Sequence, residues 1–159
     1  MESFQTPALV IEETGDPVPE QQAYLNLIRT AEILSIQLSD LFGEHGLSGK
    51  QYNILRALRR GGPDGLTISQ IGEQMTDPRA DVTRLMDRLE REHWVERQHG
   101  TEDRRVVRAH LTKAGAELLA RLDAPIVALH RAQLGHMTSR ELDRLSALLR
   151  KARGETVAK

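Results

Sequence analysis

The chain has 159 residues, 39% of them hydrophobic and 28% charged, which is the composition of an ordinary globular domain long enough to bury one core. Without a single cysteine it can form no disulfide framework, thiolate metal site or thiol redox switch, and its apolar runs fall well short of a membrane span. The net charge of −1 hides an asymmetry: residues 79–113 carry nine Arg/Lys against seven Asp/Glu, a local +2 that leaves −3 for the remainder.

Residues 1–19 contain Pro7, Gly15, Pro17 and Pro19 without a periodic apolar pattern and read as an N-terminal arm. No basic stretch followed by an apolar one opens the chain, so the cytoplasm is the expected compartment. From Glu20 the spacing changes. Tyr24, Leu27, Ile28, Ala31, Leu34, Leu38 and Leu41 recur at three- and four-residue steps, which predicts a long amphipathic helix over 20–44 ending near Gly43 and Gly46. Ser48 is placed to cap a second helix through Tyr52, Leu55 and Leu58 that stops at Gly61-Gly62-Pro63. Leu66 allows a minimal strand before Thr67 caps a third helix, with Ile68, Ile71 and Met75 facing inward. A fourth is expected to open at Asp77, with Pro78 at the first helical position where its missing N–H costs nothing, and to run to His93. Its buried stripe is Val82, Leu85, Met86 and Leu89, which leaves Arg79, Thr83, Arg84, Asp87, Arg88 and Arg91 on the other side. His93 reads as a packed helix terminus, where positive charge is welcome.

Trp94 and Val95 begin a strand, and in the returning one Val107, Ala109 and Leu111 alternate with Val106, Arg108 and His110. The hairpin tip falls between Gln98 and Arg104. After Leu111-Thr112-Lys113-Ala114-Gly115, the residues Leu118, Leu119, Leu122, Ile126 and Leu129 mark a long helix with a kink expected at Pro125; Leu142, Leu145, Leu148 and Leu149 mark a last one. The fold class is therefore mainly α with a small β-wing: a winged helix-turn-helix core at 45–113, flanked by dimerisation helices at 20–44 and 114–152, in a single domain over 20–152 with a tail at 153–159. The outer helices carry more apolar surface than so small a core can cover. A two-fold homodimer follows, with a monomeric bundle as the alternative.

A helix end and a basic hairpin on one support can engage the major groove and the neighbouring minor groove of double-stranded DNA together. Arg79, Thr83, Arg84 and Arg88 are the candidate readers, since a guanidinium pairs bidentately with guanine or, turned slightly, grips phosphate. Asp87 is better suited to orienting a neighbouring arginine than to facing phosphates. Thr67, Ser69 and Gln70 are placed for contacts to the DNA backbone from the supporting helix.

Four blocks in fixed order and spacing, Leu66–Met75, Val82–Glu90, Asp103-Arg104-Arg105 and Leu111–Gly115, resemble the multiple-antibiotic-resistance-regulator (MarR) family. The resemblance extends upstream through Gly46-Leu47-Ser48, Gln51-Tyr52 and Leu55, and covers roughly residues 20–152. It implies a homodimeric, cytoplasmic transcription regulator, usually a repressor, that binds a palindromic operator and is released by a small phenolic or aromatic-acid effector. By the same resemblance Arg105 is the wing arginine that enters the minor groove and Asp103 the carboxylate that holds it, with Arg104 beside them. A planar, permanently charged guanidinium suits the negative potential of a narrow minor groove. Candidate effector-lining residues are Tyr24, Ile28, Leu41, His45, Tyr52 and Arg56, each with a core or surface role as the alternative.

Six histidines raise the question of metal or catalysis. Their spacing does not match an HExxH helix, and neither a Gly-rich phosphate loop nor a nucleophile elbow is present, so the chain is expected to be no enzyme and to need no cofactor or metal. Two alternatives stay open: a metal-responsive regulator of the same fold using His, Asp and Glu, and a winged-helix interaction module without DNA binding.

Overall fold

The computed structural model describes residues 18–75, 81–99 and 106–155. In chain order they form α1 (Pro19–Gly43), α2 (Gly49–Gly61), a 3-10 turn (Gly62–Asp64), β1 (Leu66–Thr67), α3 (Ile68–Glu73), α4 (Val82–Arg91), β2 (Val95–His99), β3 (Val107–Leu111), α5 (Lys113–Leu134) and α6 (Ser139–Ala152). The strands make one antiparallel sheet in the order β1-β3-β2, with Leu66 opposite Ala109 and Val95 opposite Leu111. This is the expected mainly helical fold with a small β-wing. No helix among the described residues is long and apolar enough to cross a membrane.

Helix starts follow local chemistry. Ser48, Thr67 and Thr138 each accept the N–H of the residue three positions on, and Gln51, Gln70 and Glu141 reach back to the N–H of the cap, so α2, α3 and α6 all begin with a reciprocal capping box. The fourth helix departs from expectation at both ends. It starts at Val82 with Asp81 as cap, whose carboxylate accepts the Arg84 N–H at 3.1 Å; Asp77 and Pro78 lie outside the described residues. Two cap-competent aspartates stand one turn apart in the sequence, and the later one caps this helix. It ends at Arg91 because His93 adopts a left-handed φ of +59°, with the Trp94 N–H bonded to the Leu89 carbonyl and the His93 N–H to the Glu90 carbonyl. His93 is consequently exposed rather than packed, and half-buried Trp94 takes the packing position. Pro125 lies inside α5, which continues past it to Leu134.

By compactness the chain divides at Ile36/Gln37, inside α1. The described part of the first unit, residues 18–36, exposes Tyr24, Leu27, Ile28, Ile33 and Ile36. In the second unit, the end of α1 joins the core through buried Phe42 with Leu38 and Leu41 packed against it. Ile54, Leu55 and Leu58 of α2, Ile71 of α3, Met86 and Leu89 of α4, Val95 and Ala109 of the sheet, and Leu119 and Leu122 of α5 are almost wholly buried there. Each of the Leu, Ile, Val and Met side chains contributes on the order of 1.5–3 kcal/mol. By contrast α6 buries no residue, and its Leu145 and Leu148 are exposed.

The segment between α4 and α5 is tied closely. The Thr112 hydroxyl donates to the His93 carbonyl at 2.7 Å and accepts the Gly115 N–H, while the Thr112 N–H bonds the Trp94 carbonyl at 3.1 Å. A Cβ on Gly115 would collide with that same carbonyl oxygen, which is backbone and has no easy escape. Gly115→Ala is expected to lower stability by about 1–3 kcal/mol in urea unfolding, as overpacking does elsewhere; a wild-type midpoint would show that α5 can shift to make room.

Arg59 of α2 forks onto Asp123 of α5 with bonds of 2.8 and 2.9 Å. The guanidinium holds the Asp123 carboxyl below its ordinary pKa, so the pair's stabilisation is present above the ordinary carboxylate range and is lost as pH falls through the lowered value. Both side chains are partly solvated, which limits the pair to at most about 1 kcal/mol. Asp123→Asn should therefore cost up to that amount at pH 7, and urea titrations of the two proteins should converge in strong acid. A gap that persists there would show that the ion pair is not the cause.

Candidate DNA interface

The core stripe of α4, Val82, Met86 and Leu89, turns the opposite face outward: Thr83, Arg84, Asp87, Arg88 and Arg91 are all exposed. Arg84 and Arg88 are four residues apart on one flank, and neither guanidinium has an ion-pair partner among the described residues. Arg91 donates from Nε to the Asp87 carbonyl at 3.4 Å. Thr67 and Gln70 are committed to each other by the capping box, while Ser69 beside them is exposed.

The other flank of α4 holds the wing. Arg97 of β2 places one guanidinium nitrogen 2.7 Å from Asp87 Oδ1 and donates from the other to Glu90 Oε2 at 3.0 Å; its backbone N–H donates to Glu90 Oε1 at 3.2 Å. A further bond of 3.4 Å reaches the Thr83 carbonyl. One side chain thus joins three positions of α4 to the strand that leads into the hairpin tip. Asp87 has the orienting role expected of it, but toward Arg97, which the sequence reading did not single out. A signal existed: Arg97 is two residues after buried Val95 and shares its side of the strand, so it must face the helix. On β3, half-buried Arg108 donates to the Gly65 carbonyl at 3.3 Å. Gly65 itself has φ +63°, and a Cβ there would strike the Ala109 carbonyl, so β1 needs glycine to lie this close to β3. Arg79 and the tip residues Asp103, Arg104 and Arg105 lie outside the described residues.

The expected effector residues belong to both units. Tyr24 and Ile28 belong to the first unit and are exposed. In the second unit Tyr52 is a core residue, stacked on Phe42 with ring centroids 4.4 Å apart, and its hydroxyl accepts from Arg56 at 3.0 Å. Half-buried Leu41 lines a shallow groove with Gln37, Asp40, Glu44, Pro125 and Leu129, whereas Arg56 lines a different one with Asn53, Arg60 and Gln74. His45, half-buried, follows the end of α1. Among the described residues no group of three His, Asp or Glu is close enough to hold a metal ion.

This arrangement of helix pair, exposed arginine face and clamped hairpin is that of a winged helix-turn-helix transcription regulator. Residues 47–107 match the model of the MarR family. The uncharacterised HTH-type transcriptional regulator YkoM of Bacillus subtilis is 36% identical over 110 residues, 69% of this chain and 70% of its own. A MarR transcription factor from Planctomyces limnophilus, known from its crystal structure, is 38% identical with a TM-score of 0.65, covering 85% of this chain and 97% of that one. Bordetella bronchiseptica BpsR shares the fold at 21% identity, with a TM-score of 0.77 over 89% of this chain and 100% of its own. The chain belongs to the MarR family, whose members are transcriptional regulators and not enzymes.

Arg97→Lys keeps the charge but loses the fork. We expect it to lower stability by about 0.5–1.5 kcal/mol in urea unfolding and to weaken binding to every duplex alike, since the helix is untouched and only the wing is released. Unchanged affinity beside reduced stability would limit Arg97 to a packing role.

Proposed function

We propose that the protein is a cytoplasmic repressor that binds a palindromic operator as a homodimer and is released by a small phenolic or aromatic-acid effector. One observation carries this reading. The exposed arginine flank of α4 and the strand leading into Asp103-Arg104-Arg105 are locked together by Arg97, so helix and hairpin tip would meet DNA as one body. Arg79, Thr83, Arg84 and Arg88 would read or grip the major groove, Ser69 the adjoining backbone, and Arg105, oriented by Asp103, the minor groove.

The dimer is supported by apolar surface left over in each unit. Tyr24 is 58% exposed and Ile33 and Ile36 are each 60% exposed on α1, and Leu148 is 54% exposed on α6. Two copies joined by such helices would hold their α4 helices one DNA turn apart, roughly 34–36 Å. An effector favouring a different separation would draw the population away from the binding state. The DNA binding of BpsR is regulated by 6-hydroxynicotinic acid, a hydroxylated aromatic acid, which supports an effector of that class here.

Selection of duplexes from a randomised library by the purified protein, with complexes weighed by light scattering, tests the reading. The expected result is an enriched palindrome bound by two chains, with affinity that falls steeply with salt and weakens on every duplex in Arg105→Ala. Absence of enrichment at low salt would reject operator binding, and an operator complex that appears or vanishes with a chelator would favour the metal-responsive alternative.

A further inference from the structure

Asp81, the cap of α4, stands three residues before Arg84 and seven before Arg88, which puts the three side chains in one column on the flank opposite Arg97. All three are exposed and border the same groove. Asp81 leads the column, and the N-terminal residues of a recognition helix are the ones presented to base edges. The acids within α4 itself, Asp87 and Glu90, are held by Arg97 on the other flank. Asp81 differs from them. It has no ion-pair partner among the described residues, and of its two oxygens Oδ1 accepts the Arg84 N–H at 3.1 Å while Oδ2 receives no hydrogen bond from those residues. The cap bond restrains the carboxylate, so Oδ2 is a pre-set acceptor at the leading end of the helix.

Capping by itself needs no charge, because Asn and Ser serve as well as Asp. Beside phosphates the charge is unfavourable, and what it adds is an acceptor without a donor. The four bases answer such a group differently in the major groove. Cytosine presents the N4 amino donor; adenine sets an N7 acceptor beside its N6 donor, guanine presents N7 and O6 acceptors, and thymine an O4 acceptor with a methyl group. A carboxylate is therefore satisfied by cytosine and repelled, in part or wholly, by the other three. The guanidinium of Arg84, one turn on, has the complementary preference for guanine. A carboxylate at this end is also favoured by the helix dipole, but a group serving the dipole alone would leave base preference untouched.

We propose that Asp81 is a specificity-determining residue, whose Oδ2 accepts from the N4 amino group of a cytosine in each half-site and disfavours the other bases at that position. The inference rests on the operator-binding reading above and deepens it: the column on α4 reads with an acceptor as well as with donors.

The test runs the randomised-library selection in parallel on the full-length wild type, Asp81→Asn and Asp81→Ser. Both replacements keep a capping side chain, and melting temperatures near that of the wild type would verify the fold. The wild type should enrich cytosine at one position of each half-site and prefer it over adenine there by about tenfold, within the range of a good base contact. In Asp81→Asn that preference should vanish or move to adenine, whose edge suits an amide, with all other positions unchanged; in Asp81→Ser the position should simply relax. An unchanged enriched sequence, with both variants binding every duplex more tightly, would reduce Asp81 to a cap whose charge repels phosphate and overturn the proposal. A change at a position where the wild type does not prefer cytosine would overturn the base assignment. Should Asp81→Asn fail to fold, Asp81→Ser decides by the same comparison. No enrichment by the wild type would reject operator binding itself, and this inference with it, whereas an enriched palindrome indifferent to Asp81 rejects this inference alone.

Discussion

The guanidinium of Arg97 sets the geometry on which DNA reading by this fold depends. A two-stranded ribbon is marginal by itself, and β2 and β3 have a short third strand, β1, on one edge. The free edge is β2, and Arg97 binds it to α4 through Asp87, Glu90 and the Thr83 carbonyl. The planar fork addresses two carboxylates at once, and side chains three positions apart on a helix lie on one flank, so the strand has one register against the helix. Charge that would repel phosphate is also partly offset there. Arg97 cancels one of the two negative charges of Asp87 and Glu90 and holds both carboxylates on its own flank, which leaves the opposite flank, with Arg84 and Arg88, positive toward solvent.

The start of α5 fixes the other side of the same hairpin. Thr112 serves three partners within a few ångström, and Gly115 admits the Trp94 carbonyl where any side chain would exclude it. The Leu-Thr-Lys-Ala-Gly block is thus a junction in which the turn ending α4, the first residues of the wing and the first turn of α5 share hydrogen bonds. Displacement of α5 has a short route into the wing through this junction, and another into α2 through Arg59 and Asp123. Any ligand that moves the outer helices would have both contacts through which to bias the DNA-binding face.

Much of this was legible in the sequence because short-range chemistry decided it. Caps at Ser48 and Thr67, the Val82, Met86 and Leu89 stripe, and the alternation about Ala109 all depend on residues within one turn or one strand. The start of α4 was misplaced because Asp77-Pro78 and Asp81 offer two valid openings, and local rules cannot rank them. Its end was misplaced because a left-handed histidine was not anticipated where glycine usually serves. Arg97 and Arg59 escaped notice for another reason: their roles are pairings across 7 and 64 residues, and no periodicity in the sequence records them.

Net charge illustrates the same division between sum and placement. At −1 the whole chain gives no attraction for a polyanion. The ion pairs redistribute that balance: Arg97 draws the acids of α4 to one flank, and Asp123 neutralises Arg59 away from it. Among the described residues, Arg84, Arg88 and Arg91 of α4 line one groove with the capping carboxylate of Asp81. Screening over a Debye length of roughly 8–10 Å means that a phosphate at this surface responds to those groups and hardly at all to acids on the far helices. A slightly acidic protein can therefore present a basic face, and affinity built from a few local contacts is sensitive to salt in proportion to their number.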